Sequence, residues 1–510
     1  MKRKDKHKKF FLSDLVFWLI FVFSLTLGSV AIWVYSVFHA ELAEIMFTIR
    51  APLNGADSNF VSDALRTCLP PVLFGTVLFT LLQLFVRRWN HFPFHIRLRL
   101  WKRELLFSGE KFLRWLPVAV SIGMLCMTCY YAQTTYNVVF YVKTNLSRTT
   151  IYDDYYAMPE NAKIISPENP RNLLCIYLES METTYSDQIH GGMQSENYIP
   201  FLTDLALNNT SFGSSDAILG GARNLPNTAW TTSALMASTA GIPYSYPMDQ
   251  SVLSTYSSFG EKLQNIGTVL DNKGYTQEFL CGSDAVFGGR QQYFSQHGNY
   301  RVYDYFTAIE QGDIPDDYYV WWGFEDHKLF DIAKKELTRL NKGNAPFNLT
   351  MLTVDTHTEH GYICDYCDTE KYGGETLPTV LDCTDRQIQE FLDWCRQQPF
   401  YENTTIVLLG DHPRMDTDLV DGIPAENRKV YNCILNAAKV PTLPTEGRAF
   451  TQLDMFPTIL SSMGFEIPGD RLGMGTDLFS STPTLVEALG YDYLSTELQK
   501  QSVFYRDNFY

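Results

Sequence analysis

Three short segments of this chain carry side chains able to share one metal ion and one hydroxyl nucleophile. They are Glu179 in Leu-Leu-Cys-Ile-Tyr-Leu-Glu-Ser, Thr231 in Asn-Thr-Ala-Trp-Thr-Thr-Ser-Ala, and Asp411-His412 in Ile-Val-Leu-Leu-Gly-Asp-His. Carboxylate oxygen and imidazole nitrogen suit Mg²⁺, Mn²⁺ or Zn²⁺. A hydroxyl drawn into such a coordination sphere loses its proton more readily. Thr231 opens a run, Thr-Thr-Ser-Ala-Leu-Met-Ala-Ser, that reads as a helix start, and helix N-terminal amides favour a phosphate. The chemistry that fits is attack by Thr231 on a phosphodiester, a phosphothreonine-type intermediate, and transfer to an acceptor hydroxyl.

Each residue alone has a plainer reading. A Glu after a strand is usually a surface carboxylate, and Glu182 competes with Glu179. Thr231 alone reads as a helix cap, and Thr232 is an alternative nucleophile. An Asp-His pair after a strand is common by chance. The joint pattern is stronger because of where the residues fall. Segments 172–178, 347–354 and 404–409 are short apolar runs that read as buried strands. Pro200 to Asn208 and Thr384 to Arg396 read as helices. Strands alternating with helices predict an α/β domain with a largely parallel sheet. Ligands of such sheets gather at the carboxyl ends of strands. Glu179, His357 and Asp411-His412 each stand at such an end.

Upstream, three apolar stretches, about 11–35, 69–86 and 115–131, are candidates to cross a bilayer. The first is too long for a signal-peptide core of about 7–15 residues and lacks a small-residue cleavage site. The opening MKRKDKHKK is basic, the loop 36–68 holds only Arg50 and Arg66, and the loop 87–114 is rich in Lys and Arg. Positive charge stays on the cytoplasmic side. Three crossings then leave everything after about residue 132 outside the cell membrane. The expected organisation is a membrane domain over 1–132, an extracytoplasmic connector over 133–165, a catalytic domain over 166–480 and a tail over 481–510. The net charge of −16 over 510 residues argues against nucleic acid as a partner.

There are ten cysteines. Cys126 and Cys129 fall in the third span. Cys364, Cys367, Cys383 and Cys395 lie in the outer segment, where disulfides persist. The Cys364-Asp-Tyr-Cys367 pair admits zinc or redox chemistry, but it has no second CxxC. A Cys367–Cys383 bridge is the preferred pairing, although spacing alone does not fix connectivity.

The segments IYLESMETTY, NTAWTTSALMASTAGIPY, LTVDTHTEHGY and LLGDH together resemble the membrane-bound phosphoglycerol transferases of the sulfatase/alkaline phosphatase superfamily, lipoteichoic acid synthases among them. The likeness extends over about 166–480 and takes in Thr451-Gln-Leu-Asp-Met-Phe-Pro-Thr-Ile-Leu and Leu472-Gly-Met-Gly. It implies an alkaline phosphatase/sulfatase-like sandwich around a mostly parallel sheet, behind an N-terminal helical membrane domain. It implies one divalent metal, Mn²⁺ or Mg²⁺, on Glu179, Thr231, Asp411 and His412, with Thr231 as nucleophile. His357 would contact substrate phosphate or glycerol, and Arg290 resembles a substrate-pocket arginine. Gly288 stands where that pocket has a tryptophan. The implied donor is phosphatidylglycerol and the implied acceptor an extracytoplasmic glycan or polymer. A phosphoethanolamine transferase, a phosphodiester hydrolase and a catalytically inactive glycan- or lipid-binding protein are the alternatives.

Overall fold

The computed structural model describes residues 2–38, 42, 45–46, 58–89, 95–100, 103–213, 219–245, 260, 262–357 and 359–509. Arg50 and Lys102, which enter the orientation argument, lie outside the described residues. The chain forms two compact units, Met1–Leu42 with Ser58–Phe140, and Ala43–Asp57 with Tyr141–Tyr510.

The first unit is built on three helices, α1 (Lys2–Phe38), α2 (Ser58–Trp89) and α3 (Gly109–Tyr136). Segments Ser13–Val37, Ser62–Trp89 and Leu113–Tyr136 within them are long and apolar enough to cross a membrane. Their outward faces carry Leu19, Phe23, Phe74 and Met127, as lipid contact requires. Polar side chains tie the helices together where no water competes. Thr128 donates to the Ser24 carbonyl at 3.0 Å and Trp18 to Thr80 at 2.9 Å, and Phe21 stacks on Phe79. Between α2 and α3, in the basic loop, His95–Leu100 pairs antiparallel with Arg103–Ser108.

The second unit is organised by a six-stranded sheet. Its strands are β1 (Asn172–Leu178), β2 (Thr276–Cys281), β3 (Arg301–Tyr303), β4 (Phe347–Leu352), β5 (Thr404–Gly410) and β6 (Asn432–Leu435). The spatial order is β6-β5-β1-β4-β2-β3, parallel except for the edge strand β6. Alternation along the strands feeds two cores. Leu173, Cys175 and Tyr177 enter one, and Leu174, Ile176 and Leu178 enter the other. The first core is closed by α5 (Thr231–Ala240) and α8 (Met455–Ser462); the second by α4 (Pro200–Asn208), α6 (Asp326–Asn341) and α7 (Thr376–Arg396). Burial of both faces explains why these strands read as continuous apolar runs.

Helix α7 starts eight residues before the expected Thr384. Pro378 lies in its first turn, where a missing N–H costs nothing. Asp385 on that helix accepts the Phe201 and Leu202 amides, both at 2.8 Å, and so caps α4. Ile151 and Tyr152, from the 133–165 segment, and Leu485, Leu494, Leu498, Tyr505 and Phe509, from 481–510, all pack into the first core.

Neighbouring strands β1 and β5 set the site. Leu178 is paired with Gly410 in their register, and the Asp411 amide donates to the Leu178 carbonyl at 3.1 Å. Gly410 must lack a side chain, because a Cβ there would sit 2.0 Å from the Met181 carbonyl oxygen. Gly410→Ala should therefore push Asp411 away from Glu179. The expected cost is about 100-fold in turnover, since displacements near 1 Å have that effect. Activity within threefold of the parent would contradict this reading of the turn.

Candidate active site

Glu179 leaves the end of β1, and Asp411 and His412 leave the end of β5. All three are buried. Their ligand atoms lie within 4.8 Å of one another. His412 Nε2 is 3.5 Å from Glu179 Oε1 and 3.4 Å from Asp411 Oδ2. Thr231, the first residue of α5, closes the group. Its Oγ1 lies 3.4 Å from Glu179 Oε2 and 3.4 Å from His412 Nε2. The four residues expected to converge are brought together, from positions up to 233 apart in the chain.

Local bonds fix each side chain. Asp411 Oδ1 accepts the amides of Ser180 and His412, both at 2.8 Å. Ser180 Oγ donates to Glu179 Oε1 at 2.8 Å. Ser180 has φ +51°, a left-handed conformation that costs about 1–2 kcal/mol for an L residue. That turn lets one residue serve both carboxylates. His412 Nδ1 is 2.9 Å from the Pro413 carbonyl, which demands a proton on Nδ1 and leaves Nε2 facing the carboxylates. The Gln452 amide donates to the Asp411 carbonyl.

These residues fit a divalent cation. Asp411 Oδ2 is buried without a hydrogen-bond partner and points into the group of donors. Two carboxylates this close need a counter-charge. Burial, then the neighbouring Glu179 charge, pushes Asp411 up to about 7. Burial alone would raise Glu179 too, but His357, His412 and the Ser180 hydroxyl bring it below its ordinary value. A metal entering the site must displace the Asp411 proton. Metal affinity should rise about tenfold per pH unit toward pH 7 and level off above it. Titration of metal-free protein between pH 5.5 and 8.5 tests this; a flat profile rules it out.

Thr232 is not positioned as the nucleophile. Its hydroxyl donates to the Gly288 carbonyl at 3.0 Å. Glu182 is excluded as a ligand: it is buried, ion-paired with Arg428, and accepts the Arg414 amide at 2.7 Å. His357 lies close enough to stabilise the Glu179 charge, and its ring packs 5.0 Å from that of Trp322. Arg290 is buried, but its Nε and Nη2 donate to the Phe287 and Asp284 carbonyls at 3.0 and 2.7 Å. The structure does not bring it into hydrogen-bond contact with Glu179, Thr231, Asp411 or His412. Its loop does reach α5, since a Cβ on Gly288 would lie 2.5 Å from Thr232 Oγ1. His360 lies on the surface, bonded to Asp418 at 2.5 Å.

Cys367 and Cys383, the expected disulfide pair, are not joined in this structure, and Cys364 Sγ lies 3.7 Å from each. Cys395 is buried in the second core instead.

Several positioning residues escaped the sequence reading. Asp326 accepts the Val354 and Asp355 amides at 2.7 and 3.0 Å and so shapes the turn before His357. The Thr356 hydroxyl bonds the Glu179 carbonyl at 2.5 Å, and Arg414 donates to the Thr356 carbonyl at 2.8 Å. The His357 loop is thereby tied to both strand ends that carry the candidate ligands. Arg414 lies two residues beyond His412, and that proximity is the signal in the sequence that could have found it.

A sequence profile described as Sulfatase matches residues 171–465. Over 329 residues the chain is 30% identical to phosphoglycerol transferase I of Xanthomonas campestris pv. campestris (strain B100), covering 62% of this chain and 44% of that protein. Over 336 residues it is 29% identical to phosphoglycerol transferase I of Salmonella choleraesuis (strain SC-B67), covering 64% and 41%. The chain thus spans less than half the length of these relatives. Among solved structures, the lipoteichoic acid synthase LtaP from Listeria monocytogenes aligns with a TM-score of 0.48 at 18% identity, covering 64% of this chain and 79% of that one. A profile match over more than half of the chain, spanning all four residues that converge at the strand ends, shows that the chain belongs to the sulfatase family.

Proposed function

We propose that this membrane protein transfers glycerol phosphate from phosphatidylglycerol to an extracytoplasmic glycan or polymer. The observation that carries the reading is the Thr231 hydroxyl, 3.4 Å from both a Glu179 oxygen and His412 Nε2, at the start of a helix. A divalent cation held by Glu179, Asp411, His412 and the Thr231 oxygen, Mn²⁺ or Mg²⁺ as the resemblance implies, would supply Lewis acidity and lower the hydroxyl's pKa. Thr231 Oγ then attacks phosphorus, and the bond from phosphorus to the diacylglycerol oxygen breaks. That oxygen takes up a proton, leaving glycerophosphoryl-Thr231. An acceptor hydroxyl attacks the same phosphorus, the Thr231–phosphorus bond breaks, and Thr231 regains its proton.

The amides at the start of α5 would favour the phosphate through both steps. His357, beside Glu179 and braced by Trp322, is placed to hold the substrate phosphate or glycerol. Arg290 spends Nε and one Nη2 hydrogen on two carbonyls, so any contact with substrate falls to its other N–H groups. The basic N-terminus and the basic 87–114 loop support a multi-pass orientation with three crossings, in which the domain faces outward.

The relatives named phosphoglycerol transferase support the donor class. The test incubates the full chain with vesicles of phosphatidylglycerol or of phosphatidylethanolamine. Diacylglycerol release from phosphatidylglycerol and a glycerophosphoryl adduct on Thr231 by mass spectrometry are expected. Release from phosphatidylethanolamine alone would assign a phosphoethanolamine transferase. Diester cleavage without label reaching any glycan would assign a hydrolase.

A further inference from the structure

A second group of ligand atoms lies outside the Glu179 centre. Cys364 and Cys367 form a turn in which the Cys367 amide donates to the Cys364 carbonyl at 3.0 Å. Cys383 reaches them from α7. The three Sγ atoms all lie within 4.8 Å of one another. Cys364 Sγ is 3.7 Å from Cys367 Sγ and 3.7 Å from Cys383 Sγ. Thiolates bound to one tetrahedral zinc at about 2.3 Å stand about 3.8 Å apart, along the edges of the tetrahedron. Both sulfur pairs that include Cys364 therefore already hold the spacing that zinc imposes, and the third pair lies within 4.8 Å. A disulfide would join two of them and strand the third.

The surroundings agree. Gln387, one turn beyond Cys383 and 6% exposed, ends with Nε2 3.2 Å from Cys383 Sγ and 3.7 Å from Cys364 Sγ. Its Oε1 is buried without a hydrogen-bond partner. The two orientations of an amide are nearly equal in shape. Turning this one brings the orphaned oxygen to the fourth corner beside the sulfurs. Arg386 donates to the Tyr366 carbonyl at 3.2 Å within the Cys364–Cys367 turn and is close enough to interact with the Cys383 and Cys367 charges. A cation beside three thiolates and a dipositive ion offsets the remaining negative charge. In sequence the cysteines follow C-x₂-C-x₁₅-C, the first three positions of a known zinc spacing, with Arg386 at the fourth.

We propose that Cys364, Cys367 and Cys383, with the Gln387 amide oxygen, form a structural zinc site separate from the catalytic centre. Binding releases the thiol protons and pins the 364–367 turn to α7.

The test uses the full chain, purified in detergent with reductant and no chelator. X-ray absorption at the zinc edge should show about one zinc per chain with sulfur neighbours near 2.3 Å, a shell that the oxygen and nitrogen donors of the catalytic centre cannot give. Cys383→Ser should lose that sulfur shell. In case this variant folds poorly, stepwise mercurial modification of the wild-type chain should release the zinc, detected with a chromogenic chelator. Absence of sulfur-bound zinc from the wild-type chain overturns the proposal. So does a quantitative disulfide among the three cysteines, found by mass spectrometry of alkylated, unreduced protein isolated without reductant.

Discussion

Thr231→Ala should reduce diacylglycerol release from phosphatidylglycerol vesicles by on the order of 10⁶-fold, the scale seen when a covalent nucleophile is removed. Thr231 is the hydroxyl that meets both Glu179 and His412. The adjacent Thr232 cannot substitute, because it lies on the Gly288 side and is bonded there. Alanine suits the first turn of a helix, so the thermal midpoint should stay within the small range of neutral surface changes, about 0.5 kcal/mol. Thr231→Ser keeps an oxygen in place and should recover most of the lost rate. If Thr231→Ala stays active while Thr232→Ala does not, the nucleophile has been misassigned.

Asp411→Asn should separate stability from activity. Asparagine keeps one oxygen to accept the Ser180 and His412 amides, and its amide replaces the Oδ2 that has no hydrogen-bond partner. The variant should lose the metal-dependent rise in thermal midpoint and about 10³-fold or more of the turnover. Without metal it should be the more stable protein at pH 8. The sign follows from linkage. The folded pKa of Asp411, about 7, lies above its unfolded value, so the metal-free fold holds a proton that the unfolded chain releases as pH rises. Stability contributed by that carboxyl is lost between about pH 4 and pH 7. Asparagine does not titrate, so the variant's advantage should be on the order of 4 kcal/mol at pH 8 and fade toward pH 4. Thermal melts of chelator-treated proteins at both pH values decide it. A variant less stable than the parent at pH 8 would show that Asp411 is not under charge strain.

The central strands and the clustering of Glu179, Asp411 and His412 were readable because burial on both faces writes β1, β4 and β5 as apolar runs that end at the site. Strand β2 was not readable. It carries Gln277 and Glu278, both buried, and Glu278 is neutralised by Arg301 and Arg339 from β3 and α6. No local pattern reveals a charge whose partners arrive from elsewhere. The start of α7 was hidden by Pro378, a breaker except in a first turn. Asp326, Arg414 and Thr356 act mainly on backbone groups, which leave no spacing to recognise. Cys364, Cys367 and Cys383 were visible as residues, but with no second CxxC and an outer location the reading favoured a bridge, and the approach of Cys383 to both others from a helix is a matter of packing.

Glu179 and Asp411 meet because β1 and β5 run side by side with Leu178 opposite Gly410. Side chains along a strand alternate between faces, so sliding one strand by a single residue would turn one carboxylate away from the other. Cation retention is then a check on strand alignment. A population refolded with the wrong offset could keep much of its secondary structure and still fail to take up metal.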